Sequence, residues 1–237
     1  MCQITEYTER IEKVNLRHFF CIFLLMICSV GCQTEQSTVV DFKVKYQGRL
    51  LPCQPNTNLM FFVSNFKSTQ KLPIEDGKFA NEAVALVGAE CSVLSWQVKL
   101  KGEIKEGEAV SFELGVPFAH NHTNPLTAKS PLNASEMFWS WQLGHKFLRF
   151  DEAGFSFHLG STGCSSASRL RAPNHACESP NRYRFTVLAY QSDKPIIFDL
   201  DRLFNDVDKS QSCMSEPENA TCQLLFANLQ QSLFYQE

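Results

Sequence analysis

The sequence predicts an all-β fold, a disulfide-stapled β-sandwich that ends in a short helix. Short alternating runs of polar and apolar residues recur between turn residues, a pattern typical of sandwiches and barrels. Helical periodicity is poor until residues 222–234, where CQLLFANLQQSLF predicts a short amphipathic helix. Six cysteines follow the N-terminal segment, an even number that suits disulfide bonds.

The strands follow from period-two alternation and from β-branched or aromatic composition. The third run, 93–100, is expected to place Leu94, Trp96, Val98 and Leu100 on one face. Turn residues such as Gln47-Gly48 and Asp76-Gly77 separate the runs. The predicted strands are 39–46, 58–66, 93–100, 109–116, 182–190 and 195–200.

Residues 1–31 are predicted to be a secretory signal. Lys13 and Arg17 precede the apolar run 19–30, and small residues follow. That run is shorter than the about 20 apolar residues that a membrane-spanning helix needs. We therefore expect residues 32–237 to be a single exported β domain.

The end of this signal resembles a bacterial lipoprotein box. Gly31 precedes Cys32, which would be lipidated and would anchor the protein in the envelope. Gln33 is not the aspartate that retains lipoproteins at the inner membrane, so the predicted anchor is in the outer membrane. Ser29 stands where leucine is usual, which leaves plain secretion as the alternative. The expected location is the periplasm or cell envelope.

Export makes disulfide bonds the expected state of the remaining cysteines. Sequence alone does not choose among the possible connectivities, and loop entropy favours short spans only weakly. A thiolate metal site is the weaker interpretation because the chain contains no C-x-x-C pair. The predicted pairs are Cys53–Cys91, Cys164–Cys177 and Cys213–Cys222.

Charge and motifs exclude several classes of function. The net charge is −3, and no basic stripe with interleaved aromatic residues indicates nucleic-acid binding. The sequence has no G-x-G-x-x-G, Walker loop, H-E-x-x-H or G-x-S-x-G motif. We therefore expect a binding protein rather than an enzyme.

Residues 138–164, FWSWQLGHKFLRFDEAGFSFHLGSTGC, concentrate two tryptophans, two histidines and a cysteine. They are predicted to form a hairpin with strands 138–150 and 155–159, which would place Trp139 and Trp141 on one face. A loop of even length would set Phe150 opposite Phe155 and Phe147 opposite His158. His145 would then lie diagonally from His158, close enough for a shared metal ion.

Ordinary structural roles are the alternative for these residues. Trp139 and Trp141 are explained by core packing alone, because large aromatic side chains gain much from burial. A single histidine is more often a surface or hydrogen-bonded residue than a ligand. Clustering favours a metal role most for His122 and His158, which flank the tryptophan strand, and less for His145.

Several segments together resemble the MbnP family. These are exported, copper-associated proteins with a four-cysteine motif, usually encoded beside a MauG-like di-haem protein called MbnH. The resemblance spans essentially the whole mature chain. The matching segments are GVPFAHNHTNPLTAKSPLN (115–133), MFWSWQLGHKFLRFD (137–151), FHLGSTGC (157–164), CESPNRYRFTV (177–187) and CMSEPENATC (213–222).

The resemblance implies a site and a function. His122 and His158 take the positions of the copper ligands, and Trp139 or Trp141 is the tryptophan that the di-haem partner oxidises to kynurenine. His145 stands where relatives usually have tyrosine, so it is a further candidate ligand. The implied function is copper acquisition or homeostasis. A small copper-dependent oxidase and a metal-free surface binding domain are the alternatives.

Overall fold

The computed structural model describes residues 36–51, 58–90 and 92–237. Among these residues the strands form one five-stranded and one seven-stranded sheet. The architecture confirms the predicted disulfide-stapled β-sandwich. The predicted signal segment, Cys32, Cys53 and Cys91 lie outside the described residues, and so does the predicted Cys53–Cys91 bond. No helix in the described part combines the length and apolar character that crossing a membrane requires.

Twelve strands are found in the described residues, and most match the predicted runs. In chain order they are β1 (Ser37–Tyr46), β2 (Arg49–Leu51), β3 (Asn58–Lys67), β4 (Val84–Val87), β5 (Gln97–Lys101), β6 (Val110–Leu114), β7 (Phe138–Ser140), β8 (Gly144–Glu152), β9 (Phe155–Gly160), β10 (Tyr183–Val187), β11 (Ile196–Asp199) and β12 (Phe234–Tyr235).

Each sheet is organised around one long strand. In the five-stranded sheet, β1 pairs with β2 and β5 antiparallel and with β11 parallel, and β12 extends β11. In the seven-stranded sheet, β3 pairs with β4, β6 and β8, while β10 adds to β6. β7 and β9 both pair with β8. The candidate site is built on this β7–β8–β9 part of the second sheet.

The helical segments are short. They are α1 (Phe118–Asn121), α2 (Leu200–Leu203), α3 (Ala220–Asn228) and two 3-10 turns, Val93–Trp96 and Ser135–Met137. α3 confirms the predicted C-terminal helix, and it begins where the Asn219 side chain accepts a hydrogen bond from the Cys222 backbone N–H. It ends at Asn228, whereas the prediction extended to residue 234. Residues 229–233 form a turn and irregular backbone, and Phe234 belongs to β12.

Phenylalanine rings fill the space between the sheets. Phe42, Phe198 and Phe234 of the first sheet meet Phe61 and Phe112 of the second. Phe42 and Phe112 have ring centroids 5.7 Å apart, Phe61 and Phe198 are 5.3 Å apart, and Phe198 and Phe234 stack at 4.4 Å. Such aromatic pairs add to the gain from burial and favour one relative position of the sheets.

The prediction of a strand over 93–100 is wrong in its first half. Residues 93–96 form a 3-10 turn, and the strand starts at Gln97. The Ser95 hydroxyl donates to the carbonyls of Glu90 and Ser92, a local bonding pattern that competes with strand pairing. Leu94 is consequently 66% exposed, whereas Val98 and Leu100 are buried as predicted.

Residues 138–150 are not one continuous strand. A turn at 141–143 separates β7 from β8, so Trp139 and Trp141 do not share a strand face. Gly144 makes this turn possible, because its φ is +77° and a Cβ there would lie 2.6 Å from the Asn121 carbonyl oxygen. The Ser140 hydroxyl accepts a hydrogen bond from the Leu143 N–H and closes the turn.

The predicted register of the β8–β9 hairpin is also wrong. The loop has two residues, with Glu152 opposite Phe155, so Arg149 rather than Phe147 faces His158. Phe150 lies opposite Phe157 instead of Phe155. The predicted diagonal pair of His145 and His158 therefore does not form, since the two residues are displaced along the ladder.

Candidate metal centre

Two disulfides lie next to the histidine-bearing segments. Cys164 bonds to Cys177 and Cys213 bonds to Cys222, which confirms both of these predicted pairs. The second disulfide anchors a segment that bridges to β9, where the His158 N–H donates to the Cys213 carbonyl and the Cys213 N–H donates to the Ser156 carbonyl, both at 2.9 Å. Ser215 adds a side-chain bond to the His158 carbonyl. The backbone of His158 is thus held from the edge of the sheet.

The Trp139–Trp141 segment contacts both histidines that the sequence favours. The rings of Trp139 and His158 have centroids 6.5 Å apart. The Trp141 backbone carbonyl lies 3.3 Å from Nδ1 of His122. Strand β8 pairs with both β7 and β9, which places Trp139 of β7 near His158 of β9. His122, at the end of α1, lies against the other end of the segment, at Trp141.

Gly160 makes room for the Trp139 indole. A Cβ at residue 160 would lie 2.4 Å from Cζ3 and 3.2 Å from Cε3 of Trp139, and 3.1 Å from the His145 carbonyl oxygen. Real Cβ contacts are almost never that short, so glycine is required for this close approach. Sequence patterns alone do not mark Gly160, although it follows His158 and Leu159 in the segment that resembles the MbnP family.

His158 is oriented by a carboxylate. Its Nε2 lies 2.8 Å from Oδ1 of Asp151, and because a carboxylate accepts, Nε2–H donates and Nδ1 keeps the lone pair. Arg149 bonds the other Asp151 oxygen at 2.5 Å. Burial raises the pKa of Asp151, but hydrogen bonds from Ser156, His158 and Arg149 outweigh it and leave that pKa below its usual value.

The same surroundings lower the pKa of His158 and so favour its neutral form. Its side chain is only 12% exposed, and burial, the largest influence, lowers its pKa, whereas Asp151 raises it. The positive charges of Lys146 and Arg149 also lower this pKa. A neutral imidazole with one free nitrogen is the form that binds a metal ion.

His122 is buried in a complementary orientation. The Trp141 carbonyl can only accept, so Nδ1–H of His122 donates to it and Nε2 carries the lone pair. Nε2 faces the Asn121 amide nitrogen at 3.3 Å and the Cys177 sulfur at 3.8 Å. Burial lowers the pKa of His122, the Trp141 bond partly opposes this, and the nearby His145 lowers it further.

His145 has a different environment. It is fully buried, and its Nδ1 and Nε2 lie 2.7 Å from the Asn121 carbonyl and 2.9 Å from the Leu132 carbonyl. Burial lowers its pKa, although both contacts raise it. With a carbonyl on each nitrogen, His145 joins the 118–133 segment to β8 and presents no nitrogen to a shared site.

Asn121 connects these elements, and the sequence analysis missed it. Its side-chain oxygen accepts from the His145 backbone N–H at 2.8 Å, and its amide reaches the Ser161 hydroxyl at 3.5 Å. It is buried beside His122. Hydrophobic patterns do not show that a polar residue between two histidines is buried. In the sequence, only the A-H-N-H motif at residues 119–122 indicates this position.

Two groups of three potential ligands occur among the described residues. One joins His122 to Cys164 and Cys177, and the other joins Cys213, Glu216 and Cys222. Ligand atoms within each group lie within 4.8 Å of one another. Neither group includes His158, whose nearest partners are Asp151 and Trp139.

Comparisons with known proteins agree with this architecture. A family model described as MbnP matches residues 35–222. A solved structure, MbnP from Methylosinus trichosporium, is 21% identical, with a TM-score of 0.68. The match covers 81% of this chain and 87% of that one. At this identity the structural match supports the fold alone. No curated protein matches the sequence.

Proposed function

The chain belongs to the MbnP family, and on that premise we propose that it is an exported copper-binding protein of copper acquisition or homeostasis. The observation that carries the proposal is that His122 and His158 both contact the Trp139–Trp141 segment. The family match includes all four of these positions. In this role the protein binds copper and is itself a substrate for oxidation, rather than an enzyme.

The donor set of the site fits copper. Nε2 of His122 and Nδ1 of His158 are the nitrogens that retain lone pairs, and burial favours the neutral form of both rings. Imidazole nitrogens suit copper, and neutral ligands release no proton on binding. Copper, when bound, would supply a redox-active positive charge beside the tryptophan segment. His145 is not assigned as a ligand, because both of its nitrogens face carbonyl groups.

Two neighbouring groups orient these ligands. Asp151 accepts from His158, and the Trp141 carbonyl accepts from His122. Hydrogen bonds of this kind fix the tautomer of a metal-binding histidine and increase its basicity. The local fold therefore contributes preorganised ligands as well as the nitrogen atoms.

We assign Trp139 as the residue that a MauG-like di-haem partner of the MbnH type converts to kynurenine. Its ring packs beside His158 and over Gly160, whereas the Trp141 ring packs against Phe138 at 6.2 Å. Trp139 is half-buried, so part of the indole remains at the surface from which an electron acceptor can act.

The proposed location is the periplasm or cell envelope, with Cys32 as a lipid anchor in the outer membrane. The two disulfides of the described part support export, because disulfides persist in oxidising compartments. Globomycin treatment and membrane fractionation of a Cys32→Ser variant test the anchor. Release of the variant into the soluble fraction is expected, and equal membrane retention would contradict lipidation.

Copper content tests the function. Purified protein with intact disulfides should bind one copper ion, and His122→Ala combined with His158→Ala should abolish this binding. His120→Ala combined with His175→Ala is the matched control and should bind copper normally. Equal copper in the two double variants would overturn the assigned site.

Peptide-resolved mass spectrometry tests the modification. Coexpression with the di-haem partner should produce the mass of kynurenine at residue 139, and Trp139→Phe should remove it. Trp141→Phe is the control and should leave the modification in place. A kynurenine confined to residue 141 would contradict the assignment.

A further inference from the structure

We infer that His122, Cys164 and Cys177 form a second metal site, which becomes available when the Cys164–Cys177 disulfide is reduced. The ion that this site would bind is Cu(I), which is soft and prefers sulfur ligands. The inference goes beyond the proposed function, because it uses two sulfur ligands in place of His158. All three residues are buried, and their ligand atoms lie within 4.8 Å of one another.

The separation of the ligand atoms is right for a shared ion. Ligands at about 2.0 Å for imidazole nitrogen and 2.3 Å for thiolate sulfur, at angles near 110–120°, lie roughly 3.5–3.7 Å apart. Nε2 of His122 is already 3.8 Å from the Cys177 sulfur. The Cys164 sulfur lies within 4.8 Å of the His122 ligand atom. The sulfur–sulfur distance must increase from that of the bond, and reduction of the disulfide permits that change.

The His122 ring is also oriented to bind a metal ion at this position. The hydrogen bond from Nδ1 to the Trp141 carbonyl fixes the tautomer in which Nε2 holds the lone pair. That lone pair is directed toward the sulfur and the Asn121 amide. Metal-binding histidines usually donate their other ring N–H to an acceptor of this kind, so the orientation of His122 fits a metal ion between Nε2 and the sulfur.

The backbone keeps the two cysteines together when their bond opens. Thr162 and Ser179 exchange two backbone hydrogen bonds, of 2.9 and 3.1 Å, just outside the two cysteines. Glu178 adds a third bond to the Gly163 carbonyl at 3.3 Å. The cysteines therefore lie at the base of a loop that hydrogen bonds close independently of the disulfide.

The chemistry balances with a dithiol as reductant. The dithiol supplies two electrons and two protons and becomes a disulfide, while the bond between Cys164 and Cys177 breaks and leaves two thiols. Cu(I) then binds both sulfurs as thiolates and displaces two protons to solvent. Thiolates select Cu(I) over harder ions. Since His122 serves both sites, Cu(I) bound by the His122–His158 pair would pass to the sulfur site, with no change in its oxidation state, once the disulfide is reduced.

Cysteine alkylation tests this site on the unaltered protein. The protein is reduced with a water-soluble phosphine, desalted without oxygen, and treated with iodoacetamide with or without one equivalent of Cu(I). Peptide mapping then gives the alkylation rate of each cysteine. Cu(I) is expected to protect Cys164 and Cys177 more than Cys213 and Cys222. The third potential ligand beside the latter pair is the Glu216 carboxylate, which suits Cu(I) less well than an imidazole does. Equal alkylation of Cys164 and Cys177 with and without Cu(I) would overturn the inference.

Variants separate this inference from the proposed function. Cys164→Ser with Cys177→Ser should lose the Cu(I) bound after reduction, and Cys213→Ser with Cys222→Ser is the matched control. Removing an orienting partner weakens metal binding by about 10–100-fold, so removing a ligand through His122→Ala should weaken Cu(I) binding at least tenfold. An unchanged affinity in that variant would contradict the role of His122 in the sulfur site.

The His158→Ala variant distinguishes a failure of the sulfur site from a failure of the His122–His158 copper site. It should lose copper from the oxidised protein and retain Cu(I) in the reduced one. Loss of Cu(I) from the reduced His158→Ala variant would refute the separate sulfur site. Normal copper in the oxidised variant would instead refute the His122–His158 pair.

Discussion

The close approach of Trp139 to Gly160 gives a quantitative prediction for Gly160→Ala. An ordinary contact with a Cβ lies at 3.4–4 Å, whereas the new Cβ would be 2.4 Å from Cζ3 of Trp139. The indole must therefore move by about 1 Å or more. The φ of Gly160 is not in the left-handed region, so the expected cost arises from this contact and from the His145 carbonyl at 3.1 Å.

The expected loss of unfolding free energy is about 1–2 kcal/mol. Overpacking costs about 1–3 kcal/mol, and the half-buried Trp139 side chain can partly relieve the contact by moving outward. That movement separates the indole from His158, so the yield of kynurenine after coexpression with the di-haem partner should also fall. Urea unfolding measures the first effect, and peptide mass spectrometry measures the second.

A double-mutant cycle with Trp139→Ala isolates the contact. Gly160→Ala should cost less when the indole is absent, with a coupling of about 1 kcal/mol. Gly77→Ala is the matched control, because a Cβ there meets nothing within 4 Å. Additivity within about 0.5 kcal/mol would refute the proposed packing of Trp139 on Gly160.

Three further substitutions test the support of the site and fold. Asp151→Ala should weaken copper binding about 10–100-fold, measured by chelator competition, because His158 loses its orienting acceptor; unchanged affinity would contradict that role. Ser215→Ala should lower the unfolding free energy by about 1–3 kcal/mol, since its buried hydroxyl bridges a backbone N–H and a C=O of β9; equal urea midpoints would refute it. Glu113→Gln should cost about 1–3 kcal/mol near pH 7, because two arginines and Asn65 bond the carboxylate. Burial raises the pKa of Glu113, but these hydrogen bonds outweigh burial and leave that pKa below its unfolded value of 4.5. The stabilisation by Glu113 is therefore present above pH 4.5 and is lost as the pH falls through the lower folded pKa. The difference between wild type and Glu113→Gln should therefore shrink below about pH 4.5, and a constant difference would contradict this sign.

Local patterns were enough to predict most of the sandwich. Alternation predicts β1 because one face of a strand must be buried, and an aromatic, β-branched composition predicts β3. β1 buries alternate residues from Val40 onward, whereas β3 is buried on both faces along most of its length. The two disulfides of the described part also match the predicted pairs of short sequence separation, which loop entropy favours only weakly. The strand predicted from residue 93 fails because Ser95 bonds to nearby carbonyls, an interaction that hydrophobic periodicity does not register.

The arrangement of the site depends on tertiary contacts that periodicity cannot supply. The β8–β9 register follows from a two-residue loop, whereas the acidic stretch 151–154 was equally consistent with a longer turn. The contact between His122 and Cys177 joins residues 55 positions apart in sequence. Gly160 matters because of a ring that packs on it from β7, and such an approach is visible only in three dimensions.

Copper K-edge X-ray absorption on copper-loaded protein with intact disulfides identifies the atoms that bind the metal. We expect a first shell that contains imidazole nitrogen from His122 and His158 and no sulfur. Substitution of either histidine by alanine should remove the bound copper that gives this signal. Sulfur in the first shell of the oxidised protein, or an unchanged imidazole signal in both single variants, would contradict the assignment.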